Sequence, residues 1–272
     1  MTDLSQDFQL LREAARDAAA LALSFWGRAI HTERKADGSA VTEADKAVDE
    51  LFAARLRAVR PDYGWLSEES PEHTARLAAS RVWIVDPIDG TRDFLQGGRD
   101  WTIAAALADA GKPVLSVIIN PVREEIYEAR SGMGMWLNGR RARTSQQDTL
   151  DGARVAIGHA GFTKGTWRKP WPEACPVYAN STLYRMALVA SGGADASFAL
   201  NPKWEWDIAA GALLVQEAGG VVTAASGEPL LFNSKDAKVE GYVAAAPELY
   251  PMLIEHLNAA RGARQSKHED LK

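Results

Sequence analysis

An apolar run, Val82-Trp-Ile-Val85, ends in Asp86-Pro-Ile-Asp-Gly-Thr91. Four consecutive residues rich in β-branched and aromatic side chains read as a buried strand. That strand delivers two carboxylates, three residues apart, onto one tight turn. Pro87 lacks the N–H for a ladder bond and is expected to end the strand. Gly90 permits close backbone approach, and its amide with that of Thr91 offers an anion nest. Buried acids without a partner are costly, so this pair calls for a cation. All-oxygen donors suit Mg²⁺ or Mn²⁺. Taken alone, the same residues also suit an Asx-type turn with solvated acids.

The chain has 272 residues, 46% of them apolar, enough for a sizeable core in one large domain or two joined parts. A net charge of −5 gives no bulk attraction to a nucleic acid polymer or an anionic membrane. No stretch approaches the roughly 20 apolar residues of a membrane span. Cys175 is the single cysteine, so no intrachain disulfide forms, which fits a reducing compartment. The N-terminus lacks the basic region, apolar run and small-residue cleavage site of a leader. These features lead to the expectation of a cytoplasmic protein that binds neither nucleic acid nor membrane, and they leave open whether it is a monomer or a homodimer.

Helical spacing of Leu10, Leu11, Ala14, Ala18, Leu21 and Phe25 predicts a helix from Leu4 to Ile30. Thr42 reads as the N-cap of a second helix with Asp45 at N3, running to Arg60. Strand signals then crowd together, at 101–107, 114–119, 125–129 and 134–137, as in an antiparallel meander. Residues 1–145 are therefore expected to form an α+β part that carries the acid turn. Residues 146–260 are expected to form an α/β part, with helices at 182–190, 207–218 and 248–260, and 261–272 a disordered tail.

Further acids fall at element ends: Asp45, Glu68 with Glu69, and Asp207 in Trp204-Glu-Trp-Asp207. Asp207 and Asp45, taken singly, also suit helix N-termini, where the dipole favours a carboxylate by under about 1 kcal/mol. Glu68-Glu69 alone suits a solvated loop. Together the blocks Asp37-Gly-Ser-Ala-Val-Thr-Glu-Ala-Asp45, Leu66-Ser-Glu-Glu-Ser70, Trp83-Ile-Val-Asp-Pro-Ile-Asp-Gly-Thr91 and Glu205-Trp-Asp-Ile-Ala-Ala-Gly211 resemble the lithium-sensitive, magnesium-dependent phosphatases of the inositol monophosphatase superfamily. The resemblance implies an α/β layered fold, a helix–sheet–helix–sheet–helix (αβαβα) sandwich. It implies two or three Mg²⁺ ions, with Mn²⁺ able to substitute, held by Glu68, Asp86, the Ile88 carbonyl, Asp89 and Asp207. It further implies that Thr91, hydrogen-bonded to Asp45, activates the attacking water with Glu68 assisting, and that the Gly90 and Thr91 amides bind phosphate. Such a site hydrolyses a phosphate ester without a covalent intermediate.

Short cues bear on the ester. Many inositol monophosphatases carry an acid seven residues before the aspartate of the Trp-Asp motif, where this chain has Leu200. Arg92-Asp93-Phe94 and Ser67-Glu68-Glu69 resemble the 3′(2′),5′-bisphosphate nucleotidase branch. Arg185 matches a basic position there, so Arg185 and Arg92 are candidate substrate contacts. Lys164, Arg168 and Lys169, interleaved with Trp167 and Trp171, suit either phosphate and adenine or a solvated basic loop. The expected substrate is adenosine 3′(2′),5′-bisphosphate, with inositol 1-phosphate or histidinol phosphate as alternatives. A regulatory or scaffold protein on the same fold is the alternative of another class.

Overall fold

The structure is a computed structural model, and it describes residues 4–35, 38, 40–70, 74–158 and 171–269. Helices α1 (Leu4–Phe25) and α2 (Glu43–Val59) are separated by a hairpin of β1 (Thr32–Arg34) and β2 (Ala40–Thr42). There follow β3 (Gly64–Ser67), a 3₁₀ turn (Thr74–Ala78), β4 (Arg81–Asp89), α3 (Thr91–Leu95), β5 (Thr102–Asp109), β6 (Lys112–Asn120), β7 (Glu125–Arg130), β8 (Gly134–Leu137) and β9 (Arg140–Ala142). The later elements are β10 (Arg154–Ile157), β11 (Cys175–Tyr178), α4 (Thr182–Ala190), β12 (Ala196–Ala199), β13 (Lys203–Trp204), α5 (Ala209–Glu217), β14 (Val221–Ala224), β15 (Lys238–Val239), β16 (Tyr242–Ala245) and α6 (Tyr250–Glu269).

Strands β3 to β9 lie side by side in sequence order as one seven-stranded sheet, antiparallel except for the parallel pair β3–β4. A five-stranded mixed sheet has the order β11-β10-β12-β16-β14. Alternation along the first sheet sends its side chains to two cores. Trp83, Val85, Ile103, Ala105 and Leu107 face α1 and α2, whose Leu11, Ala14, Ala18, Val48 and Phe52 cover them. Val82, Ile84, Ala104, Ala106 and Ile118 face the opposite way, toward α4 and α5. Those two helices lie between the sheets, and α6, with Leu249 just before it, closes the far face of the second sheet through Leu253 and Leu257. The result is the layered helix–sheet–helix–sheet–helix sandwich, and it is built from close approaches. Ser116 Oγ donates to the Ala210 carbonyl at 2.7 Å. A Cβ on Gly211 would stand 2.7 Å from Met186 Sδ and 2.8 Å from Met186 Cβ, so only glycine lets α5 lie this close to α4.

Several elements differ from expectation. Strand β4 does not stop at Pro87 but runs nine residues, to Asp89. Its ladder shifts register between Asp86 and Asp89, so the proline occupies an irregularity and needs no N–H bond there. Helix α1 stops at Phe25 rather than Ile30, ahead of Gly27 with φ +74°. The short strands β1, β2 and β9 are too brief to show a period. The last helix runs past Ala260, to Glu269.

Substituting Gly211→Val is expected to destabilise the protein by about 1–3 kcal/mol through overpacking against Met186, measured as a lower urea midpoint at unchanged m. An unchanged midpoint would show that the α4–α5 spacing does not depend on this residue.

Candidate active site

Five acids converge at the ends of β3 and β4, the start of α2 and the turn before α5. Asp86, only 1% exposed, lies at the β4 irregularity, and neither carboxylate oxygen has a hydrogen-bond partner. Burial pushes its pKa well above the ordinary carboxylate range, and the charges of Glu68, Asp89, Asp207 and Asp45 push it further. The four clustered segments anticipated from sequence are thus brought together around one side chain.

Each remaining acid is held by its own device. Asp89 Oδ2 accepts from Ser181 Oγ at 2.7 Å and from the Leu183 N–H at 2.6 Å. Ser181 also caps α4 by accepting from the Tyr184 N–H. One carboxylate therefore ties β4 to the start of the helix between the sheets. Asp207 precedes α5 by two residues rather than opening it, and accepts from the Trp204 N–H at 3.2 Å. Burial raises its pKa to about 7 against the pull of Lys203, whose Nζ lies 3.8 Å away. Asp45 completes a capping box: its Oδ2 accepts from the Thr42 N–H at 2.8 Å and from Thr42 Oγ1. Burial nonetheless lifts Asp45 to about 6.

Glu68 sits on a bend pinned at both ends. Ser67 Oγ donates to Asp49 Oδ1, and Ser70 Oγ donates to Asp49 Oδ2 at 2.6 Å. The Trp65 indole N–H donates in turn to Ser70 Oγ at 3.0 Å. Lys35 reaches in from the β1–β2 hairpin, its Nζ 2.8 Å from both Glu68 Oε1 and Glu69 Oε1. Burial opposes its charge, but the two glutamates outweigh that and hold the ammonium above the usual lysine range. Burial likewise raises Glu69, to about 7.

The turn after Asp89 brings Gly90 (φ +94°) to the start of α3. A Cβ there would meet the Asp100 carbonyl oxygen at 3.0 Å and Ser181 Cβ at 3.3 Å, so glycine is required by space as well as by φ. Gly90 and Thr91 thus sit at a helix start, where first-turn amides have no carbonyl a turn earlier. Thr91 Oγ1 donates to the Ile88 carbonyl at 3.1 Å and not to Asp45, whose carboxylate is engaged by Thr42. Local hydrogen bonds, from Thr91 to Ile88 and from Thr42 to Asp45, stand in place of the expected Thr91–Asp45 bond.

Some proposed substrate contacts are placed elsewhere. Arg185 is 6% exposed and turned inward: Nη1 donates to the Ala179 and Asn180 carbonyls and Nη2 to Thr182 Oγ1. It braces the loop before α4, because a buried guanidinium takes the nearest carbonyls. Trp171 stacks on Phe198, with ring centroids 5.4 Å apart, and packs on the core beside α6 instead of offering a free face. The hydroxyl of Ser67 points to Asp49. Arg92 is exposed on α3. Lys164, Trp167, Arg168 and Lys169 lie outside the described residues. Sequence reasoning missed Asp49, Lys35 and Lys203; for Lys203 the signal was its place four residues before Asp207.

Two buried, unpartnered oxygens on Asp86, ringed by four further acids, fit a divalent cation with hard oxygen donors. Among the described residues no three acids already close into a cage. They are gathered around the site and held there by lysines, hydroxyls and amides.

The model of the inositol monophosphatase family matches residues 3–261. A putative Nus factor SuhB of Neisseria meningitidis serogroup B is 32% identical over 257 residues, covering 91% of this chain and 96% of that protein. An inositol-1-monophosphatase of Rhizobium meliloti is 36% identical over 195 residues, covering 69% and 73% respectively. The solved structure of extragenic suppressor protein SuhB from Bartonella henselae superposes with a TM-score of 0.81 at 28% identity, covering 92% of this chain and 97% of its own.

Asp45, Glu69 and Asp207 hold protons at about 6, 7 and 7 in the folded protein, against roughly 4 for unfolded carboxylates. The folded state binds the extra protons, so this contribution to stability is present at low pH and is lost as pH rises from about 4 to about 7. In chelator, Asp207→Asn is therefore expected to raise the melting temperature at pH 8 and to change it little at pH 4. An equal effect at both values would rule out the buried charge as the cause. Independently, Asp49→Ala releases both ends of the Glu68 bend, and the cation concentration for half-maximal stabilisation is expected to rise about 10-fold or more. A cation midpoint matching wild type would make Asp49 merely a helix residue.

Proposed function

The chain belongs to the inositol monophosphatase family, and on that footing we propose that it is a metal-dependent phosphomonoesterase whose preferred ester is adenosine 3′(2′),5′-bisphosphate. The observation that carries the phosphatase reading is Asp86, buried without a partner and surrounded by acids. Glu68, Asp86, Asp89, Asp207 and the Ile88 carbonyl are the groups that would hold Mg²⁺. When bound, Mg²⁺ supplies neutralising charge for phosphoryl oxygens and acidifies a water toward neutral pH. Thr91 Oγ1, which donates its proton to Ile88, keeps lone pairs with which to accept from and orient that water. The Gly90 and Thr91 amides at the head of α3 meet the phosphate. Asp45, bound to Thr42, acts on the site through its charge.

The ester preference rests on Leu200. It packs beside Phe198 against the apolar cluster of the second sheet, so no acid stands there to pair a sugar-like hydroxyl. A hydroxyl left without a partner costs about 1–3 kcal/mol. The name of the Neisseria relative favours a second reading, a regulatory protein on this fold. The complete set of site acids supports catalysis, and metal-dependent phosphate release by the purified chain separates the two readings.

Activity is expected to require Mg²⁺ or Mn²⁺, to vanish in excess chelator, and to be inhibited by Ca²⁺, whose looser coordination misplaces the water. Inhibition by Li⁺ is expected from the resemblance. Asp86→Asn removes most activity and leaves the metal-free fold intact, and Thr91→Ala lowers kcat more than it weakens cation binding. Adenosine 3′,5′-bisphosphate is expected to exceed inositol 1-phosphate by about 5- to 150-fold in kcat/KM. Faster turnover of inositol 1-phosphate overturns the nucleotide assignment, and full activity in chelator overturns the metal.

A further inference from the structure

A bisphosphate brings a second anion that must meet a cation, and Arg185 is committed to the Ala179 and Asn180 carbonyls. The cation placed to receive it is on the facing segment. Lys203 Nζ donates to Thr182 Oγ1 at 3.1 Å, while its approach to Asp207 Oδ2, at 3.8 Å, is beyond hydrogen-bond distance. Its side chain keeps 21% exposure, so a ligand in the site reaches it. An ammonium carries three donors, and Thr182 uses one. Thr182 Oγ1 also accepts from Arg185 Nη2 at 2.9 Å. Both of its lone pairs are thereby occupied, so Thr182, 2% exposed, anchors the two cations. Thr182 thus fixes the Lys203 ammonium at the head of α4. Asp89 accepts from Leu183 in the same turn, so the ammonium adjoins the metal-binding acids.

We propose that Lys203, anchored on Thr182, is the subsite for a second anionic group on the alcohol of the substrate, a phosphate or sulfate ester at a distance from the one that is hydrolysed. This rests on the phosphatase reading and names the residues that would make it selective for bisphosphates. Asp207 is a ligand under that reading, so its charge is shared with the cation, and Lys203 is left to face the substrate.

The test is a binding ratio in the Ca²⁺-loaded protein, where turnover does not interfere. Dissociation constants for adenosine 3′,5′-bisphosphate and adenosine 3′-phosphate are measured by calorimetry on wild type, Lys203→Met and Lys203→Arg. Wild type is expected to favour the bisphosphate by about tenfold or more, as befits a charge-assisted contact. Lys203→Met brings the ratio close to one, and Lys203→Arg recovers most of it. Equal weakening of both ligands in Lys203→Met overturns the proposal, because the lysine would then act through Asp207 alone. A parallel pair, fructose 1,6-bisphosphate and fructose 1-phosphate, separates the two levels of the argument. Lys203-dependent discrimination within the fructose pair, with none in the adenosine pair, keeps the subsite and rejects the nucleotide. No discrimination by wild type in either pair rejects the subsite.

Discussion

Mutual repulsion among Asp45, Glu68, Asp86, Asp89 and Asp207 is the constraint around which this end of the molecule is arranged. Burial raises the proton affinity of Asp86, Asp89 and Asp207, neighbouring acids raise that of Asp86 and Asp207 further, and each acid must be held in place. The solutions differ in kind. Asp45 is held by the cap of its own helix, Asp89 by a serine and an amide from the opposite sheet's helix, and Glu68 by a lysine from a hairpin. Only Asp86 has none. It is therefore the side chain most exposed to the electrostatics of the cluster and the one most responsive to an added positive charge.

These holding devices extend well beyond the site. Glu205, fully buried, accepts from the Asn233 N–H at 2.6 Å and the Ser234 N–H at 2.7 Å. Asn233 Oδ1 accepts from Arg76 Nη1 at 2.6 Å. Arg76 lies on the 3₁₀ turn after the Glu68 bend, and Glu205 lies two residues before Asp207. A single chain of hydrogen bonds therefore fixes how far apart the segments bearing Glu68 and Asp207 stand. On the outer side Trp206 stacks on Trp204 at 4.8 Å, and Lys238 Nζ lies 4.2 Å from the centre of the Trp204 ring. Those contacts brace the turn carrying Asp207.

The acids were legible in the sequence because each stands at an element end with a recognisable neighbour: Thr42 before Asp45, a buried strand before Asp86, a Trp-Asp turn before α5. The meander was legible from its regular turns. Geometry that depends on distant partners was not. Pro87 argued for the end of a strand, and only the pairing with β5 shows that the ladder resumes at Asp89. Arg185 has the composition of a phosphate ligand, but carbonyls of the preceding loop lie closer to it than the site does. Asp49 resembles any helix acid until Ser67 and Ser70 are seen to fold back on it. In each case the deciding contact joins elements whose approach no local period encodes.

The placement of α4 and α5 between the sheets has a consequence for how the chain assembles. Strands β4 to β9 pair with sequence neighbours, so their hairpins close over short loops and form early. One face of that sheet is covered at once by α1 and α2, which precede it. The other, with Ala104, Ala106, Ile118, Tyr127 and Met135, waits for helices encoded some 40 to 110 residues later, and Ser116 finds its acceptor at Ala210. During synthesis this apolar face stays uncovered until α5 has left the ribosome. The acids of β3 and β4 are in place by then, and Asp207 is delivered last, on the segment that leads into the covering helix.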